Sequence, residues 1–313
     1  MTHETNNKQE LAVLTDSATT RHLSRRQPGV HNRDDSRAPT RLFLPPNPGR
    51  RGEGGLRLKG LFSRSIAGKP LISIVTIVFN GAAYLEQTIA SVINQTYNNI
   101  EYIIIDGAST DGSQEIIKKY ESCISYWLSE PDQGIADAMN KGVQLSVGDY
   151  VLLLHADDYL LASDVIASAV QYLEGRPLIA AYSLYYEHDG QRQPAHPKPW
   201  NWRMNFKTSL LHQAVICHRE LFEQIGGFDI KFRIAMDYDF FLRAYRQDID
   251  VKYVDIPLSV MRRTGVSSQT DKVSLRKRFL EERAVHRKNS LGMWLSLIYM
   301  VYWVAYPLYR MCK

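Results

Sequence analysis

The sequence predicts an α/β fold: a mostly parallel sheet covered by helices on both faces. Three observations predict it. Four apolar, β-branched runs follow one another within about 100 residues, each followed by a helical pattern. The runs are continuous rather than alternating, as strands buried on both faces require. Each run ends on a polar residue, and strand–helix alternation of this kind builds a parallel sheet.

The elements follow in order. L-I-S-I-V-T-I-V-F-N (71–80) predicts the first strand, and a helix follows over 82–94. I-E-Y-I-I-I-D (100–106) repeats the device, with loop G-A-S-T-D-G (107–112) leading to a helix over 113–121. I-S-Y-W-L-S-E (124–130) precedes P-D-Q-G and a helix over 134–146. D-Y-V-L-L-L-H (149–155) is the fourth strand, with Ser163 capping a helix to about 174. Beyond 178 the pattern changes to an apolar segment (178–186), a Pro/Trp-rich loop (194–202) and a strand at H-Q-A-V-I-C-H (212–218). A short helix, G-G-F-D (226–229) and a helix starting in A-M-D-Y-D-F-F-L-R-A (235–244) complete this half, with no linker before it.

The net charge of +5 is unevenly spread. Residues 1–70 hold 13 Lys+Arg against 6 Asp+Glu, which is +7; the remaining 25 and 27 give −2. Residues 1–69 are rich in Arg, Ser, Pro and Gly, and P-P-N-P-G-R-R-G-E-G-G (45–55) has nothing to bury. The expectation is a disordered basic tail, without a secretory signal and without a specific nucleic-acid partner. The core domain is expected over 70–265, divided into halves at 70–160 and 161–265. Cys123, Cys217 and Cys312 lie far apart, which fits a reducing compartment.

Residues 266–313 form the last expected unit, a C-terminal helical segment associated with a membrane. Residues 291–309 carry no charge and hold Trp294, Tyr299, Tyr302, Trp303, Tyr306 and Tyr309. Arg283, Arg287 and Lys288 flank the run on one side, Arg310 and Lys313 on the other. Nineteen residues are just long enough to span a bilayer, but aromatics along the whole run fit an interface better. A soluble dimerisation helix is the alternative.

In parallel sheets ligands bind beyond the carboxyl ends of the strands. Those ends carry Asn80, Asp106, Glu130 with Asp132, and His155 with Asp157 and Asp158. Adjacent carboxylates repel, and a divalent cation relieves that repulsion; oxygen ligands suit Mg²⁺ or Mn²⁺. Helix or turn capping is the bland alternative for Asp158.

Four blocks carry a resemblance: I-S-I-V-T-I-V-F-N-G, I-I-I-D-G-A-S-T-D-G-S, S-E-P-D-Q-G-I-A-D-A-M-N-K-G, and H-Q-A-V-I-C-H-R-E-L-F-E-Q-I-G-G-F-D with the following M-D-Y-D. In these, residues 71 to about 245 resemble the family 2 glycosyltransferases, with the Rossmann-like GT-A fold, and among them the bacterial enzymes of surface-polysaccharide assembly. The resemblance implies that the first half binds a nucleotide sugar. Phe79 and Asn80 then face the nucleoside, Asp106 accepts from base or ribose, and Asn140 and Gly142 support the diphosphate. Asp137, typical of closer relatives, joins this set. Met139 departs from the pattern, since many relatives carry Arg there. His155-Ala156-Asp157 falls at the D-x-D motif, which implies Asp157 as metal ligand, Asp158 as its neighbour or a cap, and His155 near the ribose or diphosphate. In the second half Asp237 matches the catalytic base, while His212, Gln213 and, in second rank, Asp239 lie on the acceptor side. Helix capping is the competing role for both aspartates.

The function so implied is inverting, metal-dependent sugar transfer to a lipid-linked saccharide at the cytoplasmic face of the inner membrane. Loop 186–210 is expected to set acceptor choice. A nucleotidyltransferase, or a non-catalytic nucleotide- or glycan-binding protein, remains the alternative.

Overall fold

The computed structural model describes residues 22–30, 32, 36–263, 271–290 and 292–311. Residues 1–21, the start of the basic tail, lie outside the described residues, as do Cys312 and Lys313. In chain order the elements are β1 (Leu23–Ser24), β2 (Gly52–Gly54), β3 (Phe62–Ser63), β4 (Ile72–Val78), α1 (Ala82–Ile93), β5 (Ile100–Asp106), α2 (Ser113–Lys119), β6 (Tyr126–Ser129), α3 (Ile135–Leu145), β7 (Tyr150–Leu153) and β8 (Tyr159–Leu160). They continue as α4 (Val165–Val170), β9 (Ile179–His188), β10 (Gln191–Ala195), β11 (Val215–His218), α5 (Arg219–Ile225), α6 (Met236–Tyr245), β12 (Val251–Arg262), α7 (Lys272–Lys288) and α8 (Gly292–Met311).

The main sheet runs β2-β6-β5-β4-β7-β11-β9-β12-β8, with β10 on β9. Its centre is parallel: β6, β5, β4 and β7 share one direction, and β4 pairs β5 from Ile72↔Ile100 to Val78↔Asp106. Strand β11 joins the halves, lying antiparallel to both β7 and β9. The continuous apolar runs are explained by two cores. Ile72, Ile74 and Val78 of β4 face one, with Leu85 and Ile89 of α1. Val75 and Ile77 face the other, with Met139 and Val143 of α3.

Three expectations are corrected. First, residues 36–69 are not a tail. Strand β2 adds an antiparallel edge to β6 (Gly52↔Ser129, Gly54↔Trp127), and Leu56 and Phe62 are buried. The glycines that made this stretch look unable to pack are what let it pack. A Cβ at Gly54 would overlap Trp127, and Gly55 sits at φ +102°. Arg57, fully inside, pairs with Glu101 at 2.6 Å and donates to the carbonyls of Leu42 (2.7 Å) and Leu145 (2.9 Å).

Second, the folded unit does not stop at 265. Val285 of α7 belongs to the core and His286 is wholly buried. Third, the segment predicted as one strand over 212–218 is a single 3₁₀ turn, His212–Ala214, before β11. That turn pushes His212 and Gln213 out of the ladder and into the cavity described below.

Helix α8 packs one face on α7: Tyr299 stacks on His286 at 4.3 Å, and Trp303 Nε1 donates to His286 Nδ1 at 2.9 Å. Its other face leaves Met293, Trp294, Leu297, Ile298, Met300, Val301 and Val304 exposed. Among the described residues, no helix is long and apolar enough to cross a membrane.

Candidate active site

The carboxyl ends of the parallel strands open on one cavity of about 1390 Å³, lined from both halves of the domain. The loops after β4 and β5 form its first wall and are tied to each other. Asn80, held at φ +50°, receives Thr110 N–H on its Oδ1 (2.9 Å) and donates its own N–H to Ser109 Oγ (2.8 Å). Asp111 accepts from Ala82 N–H at the start of α1 (2.9 Å). Phe79 stands 67% exposed at the mouth, its ring beside Gly107 and open to the cavity. Asp132 closes this wall. Burial raises its pKa, opposed by the Gly134 N–H that it accepts at 2.8 Å.

Beyond β7 the chain turns at His155-Ala156-Asp157-Asp158. Thr88 of α1 donates to the carbonyls of Ala156 (2.7 Å) and Asp158 (2.6 Å), fixing the turn from below. Arg262 of β12 clamps it from the side. Its Nη1 donates to Asp157 O (2.5 Å), its N–H to Asp158 Oδ1 (3.1 Å), and its guanidinium lies 4.6 Å from the rings of Tyr84 and Tyr159. One potential ligand atom from each of His155, Asp157 and Asp158 lies within 4.8 Å of the others. Asp158 is buried, and that burial, with the Asp157 charge beside it, holds its pKa well above the carboxylate range. Two crowded carboxylates and an imidazole suit a divalent cation, which would remove the repulsion.

The histidines connect this turn to the second half. His155 Nε2 lies 3.1 Å from His212 Nε2, and His212 Nδ1 lies 3.4 Å from Asp237 Oδ2. Burial, then His212, holds the His155 pKa well below the imidazole range, so the ring is neutral. One tautomer assignment leaves no lone pair facing a carboxylate. His212 Nδ1–H points at Asp237, and His155 Nε2–H donates to His212 Nε2. Asp237 sits in the first turn of α6 but does not cap it: the N-cap is Ala235, without a side-chain bond.

Phe79, Asn80, His155, Asp157, Asp158, His212, Gln213 and Asp237 therefore meet in one cavity. Five residues expected there do not line it. Asp106 is buried one step behind, its carboxylate accepting from Ser109 N–H and Oγ–H and from Ser129 Oγ–H. Asp137 accepts Gln133 N–H (3.1 Å) and pairs with Lys141 (3.6 Å). Asn140 grips Phe228 through both its N–H and its carbonyl (2.7 Å each), stapling α3 to the G-G-F-D loop. Gly142 is a packing residue, since a Cβ there would overlap Val75 of β4. Asp239 is buried on the far side of α6, paired with Arg243 (2.9 Å) and Lys288 (2.9 Å). Gln213 also hydrogen-bonds Asp158, so its place is as much at the turn as on the acceptor side.

Sequence reasoning missed the cations. Arg51, from the supposed tail, lines the cavity beside the loop after β5 and donates to Ala108 O (2.8 Å). Lys207, Arg233, Arg263 and Arg278 also line the cavity. Nothing in the four blocks signals them.

Comparison with known proteins gives the family and the fold. An uncharacterised glycosyltransferase of Mycobacterium tuberculosis is 37% identical over 180 residues, covering 56% of this chain and 69% of its own. A PGL/p-HBAD biosynthesis glycosyltransferase of Mycobacterium bovis is 28% identical over 246 residues, covering 75% and 91%. Among solved structures, S. aureus TarS 1-349 in complex with UDP-GlcNAc superposes with a TM-score of 0.56 at 17% identity, over 71% of this chain and 68% of that one. The mannosyltransferase PcManGT from Pyrobaculum calidifontis, in complex with GDP-Man and Mn²⁺, gives 0.55 at 17% identity, over 75% and 70%. These two share the fold. The model of glycosyl transferase family 2 matches residues 73–253, more than half of the sequence, and the chain belongs to that family.

Proposed function

We propose that this glycosyltransferase is inverting and metal-dependent, and that it moves a sugar from a nucleotide-sugar donor to a lipid-linked saccharide in surface-polysaccharide assembly. The observation that carries the reading is the line from the His155–Asp157–Asp158 turn through His212 to Asp237. It joins three groups that could hold a cation to a carboxylate lining the same cavity. Family membership favours glycosyl over nucleotidyl transfer and over a purely binding role. Relatives in complex with UDP-GlcNAc and with GDP-Man and Mn²⁺ support a nucleotide-sugar donor and a divalent cation.

In this mechanism the donor nucleotide rests on the wall of Phe79, Asn80, Asp132 and Arg51. Asp157, with Asp158 and His155, would hold Mg²⁺ or Mn²⁺, which when bound neutralises charge on the leaving diphosphate. Asp237 takes the proton of the acceptor hydroxyl as its oxygen attacks the anomeric carbon from the opposite face, a role worth about 10²–10⁴-fold. His212 orients that carboxylate. Lys207, Arg233, Arg263 and Arg278 suit an acceptor bearing phosphate, as a lipid-linked saccharide does. The exposed apolar face of α8, beside the basic α7, supports docking at the cytoplasmic face of the inner membrane.

The test is release of nucleoside diphosphate from UDP-, GDP- and dTDP-hexoses with a polyprenyl-diphosphate-linked saccharide as acceptor, the anomeric configuration of the new glycoside being read by NMR. Release should stop in excess chelator and return with Mn²⁺ or Mg²⁺. Asp237→Asn should lower kcat by about 10²-fold or more with donor affinity kept. A retained anomeric configuration, or full activity in chelator, would remove the corresponding part of the proposal.

A further inference from the structure

A carboxylate in the first turn of a helix ordinarily serves the helix's own unpaired N–H groups. Asp237 carries only part of that duty, through Tyr238 N–H at 2.7 Å. The N–H groups of Arg233, Ile234 and Ala235, at the entrance to α6, all donate to one oxygen, Oε2 of Glu281, at 3.0, 2.7 and 3.0 Å. Glu281 belongs to α7, which lies outside the residues matched by the family model. Helix α7 grips the same turn of α6 at two further points. Tyr238 hydroxyl meets His286 Nε2 at 2.8 Å, and Asp239 accepts from Lys288 Nζ (3.0 Å) and Asn289 Nδ2 (2.9 Å). So the residues on both sides of Asp237 are held from α7. Among the described residues, the Asp237 carboxylate itself takes its neighbour's N–H, from Tyr238 at 2.7 Å, and the His212 contact.

We infer that Glu281 is a positioning residue for transfer: by capping α6 from outside, it fixes the turn that aims Asp237 into the cavity. The inference rests on the reading of Asp237 as the base. A charge-assisted cap on three N–H groups is among the stronger hydrogen-bond arrangements available to a backbone. Without it, three donors at the base's own turn must find other partners, and the turn relaxes. A shift of about 1 Å in a reacting group can cost about 10²-fold in rate. A cap that served stability alone would leave the rate per folded molecule unchanged.

The experiment uses the full chain as wild type, Glu281→Ala and Glu281→Gln, with Mn²⁺ and the UDP-, GDP- and dTDP-hexoses. Nucleoside diphosphate release gives kcat and donor KM; a melting temperature reports folding. Glu281→Ala should lower kcat about 10- to 100-fold with donor KM within about twofold. Glu281→Gln keeps an acceptor oxygen and should stay within about threefold of wild type. Should the Ala variant not fold, Glu281→Asp, one methylene short, is measured in its place with the same expectation. An unchanged kcat in the Ala or Asp variant overturns the inference, as does a Gln variant no better than it, or a loss confined to KM. A wild type that releases nothing from any of these donors overturns the reading of Asp237 as base, and this inference with it.

Discussion

Replacing Arg57 by Ala should destabilise the whole domain, although Arg57 lies outside the matched family region. Its guanidinium and the Glu101 carboxylate have side chains only 2% and 1% exposed, 2.6 Å apart. Glu101 is otherwise satisfied by Ser73 Oγ–H (2.5 Å) and Val147 N–H (2.8 Å), so it cannot turn to water when its cation is lost. Removing one partner of a buried pair typically costs about 3–5 kcal/mol. Two carbonyls, Leu42 O and Leu145 O, lose their donor as well. At about 2–4 °C per kcal/mol for a domain of this class, the melting temperature should fall by roughly 6–20 °C. Urea denaturation of wild type and variant supplies the free energy directly. A double variant, Arg57→Met with Glu101→Gln, removes both charges and should recover more than half of the loss. A single variant as stable as wild type would mean that residues 36–69 leave the domain in solution, and that the description of β2 as a sheet strand is wrong.

Three further outcomes follow from particular contacts. Arg51→Ala should raise donor KM about tenfold with kcat little changed, because Arg51 is a cation on the wall proposed to hold the donor; an unchanged KM for every donor turned over would remove it from that role. His286 is buried neutral, its pKa lowered by burial and then Arg246 from 6.5 to about 4. The unfolded chain therefore takes a proton that the folded one refuses. Stability is full above pH 6.5 and falls as pH drops toward 4, by about 2 kcal/mol at pH 5. In urea melts, His286→Phe should flatten that part of the pH dependence; an equal slope in both proteins argues against it. On α8, Trp294→Ser with Val301→Ser removes two exposed apolar groups without touching the packed face. Co-sedimentation with phosphatidylglycerol vesicles should weaken severalfold, and wild type that stays in the supernatant rules out docking through α8.

The sheet was legible because its signal is local. A buried parallel strand needs an unbroken apolar run, and a strand end over a ligand cleft needs a polar residue, so Asn80 and the His155–Asp158 turn could be found one segment at a time. What was hidden depends on partners distant in sequence. Arg57 reads as tail because Glu101, which makes it core, is in another element. Glycines 52 and 54 read as linker because the Trp127 side chain that requires them is invisible locally, and Gly55 because the backbone of 124–126 that it packs on lies far off in sequence. Within the motif blocks a different ambiguity operates. Asn140, Gly142 and Asp106 are residue types that serve a ligand or the protein equally well. Only coordinates show that Phe228, Val75 and the two serines have already used them. The same test runs the other way for Asp237. Its sequence position suits a helix cap, yet Glu281 takes the N–H groups at the entrance to α6, and Asp237, which accepts Tyr238 N–H, still lines the cavity. Residue type and position nominate a catalytic group; the hydrogen bonds that others make in its place decide whether it is available.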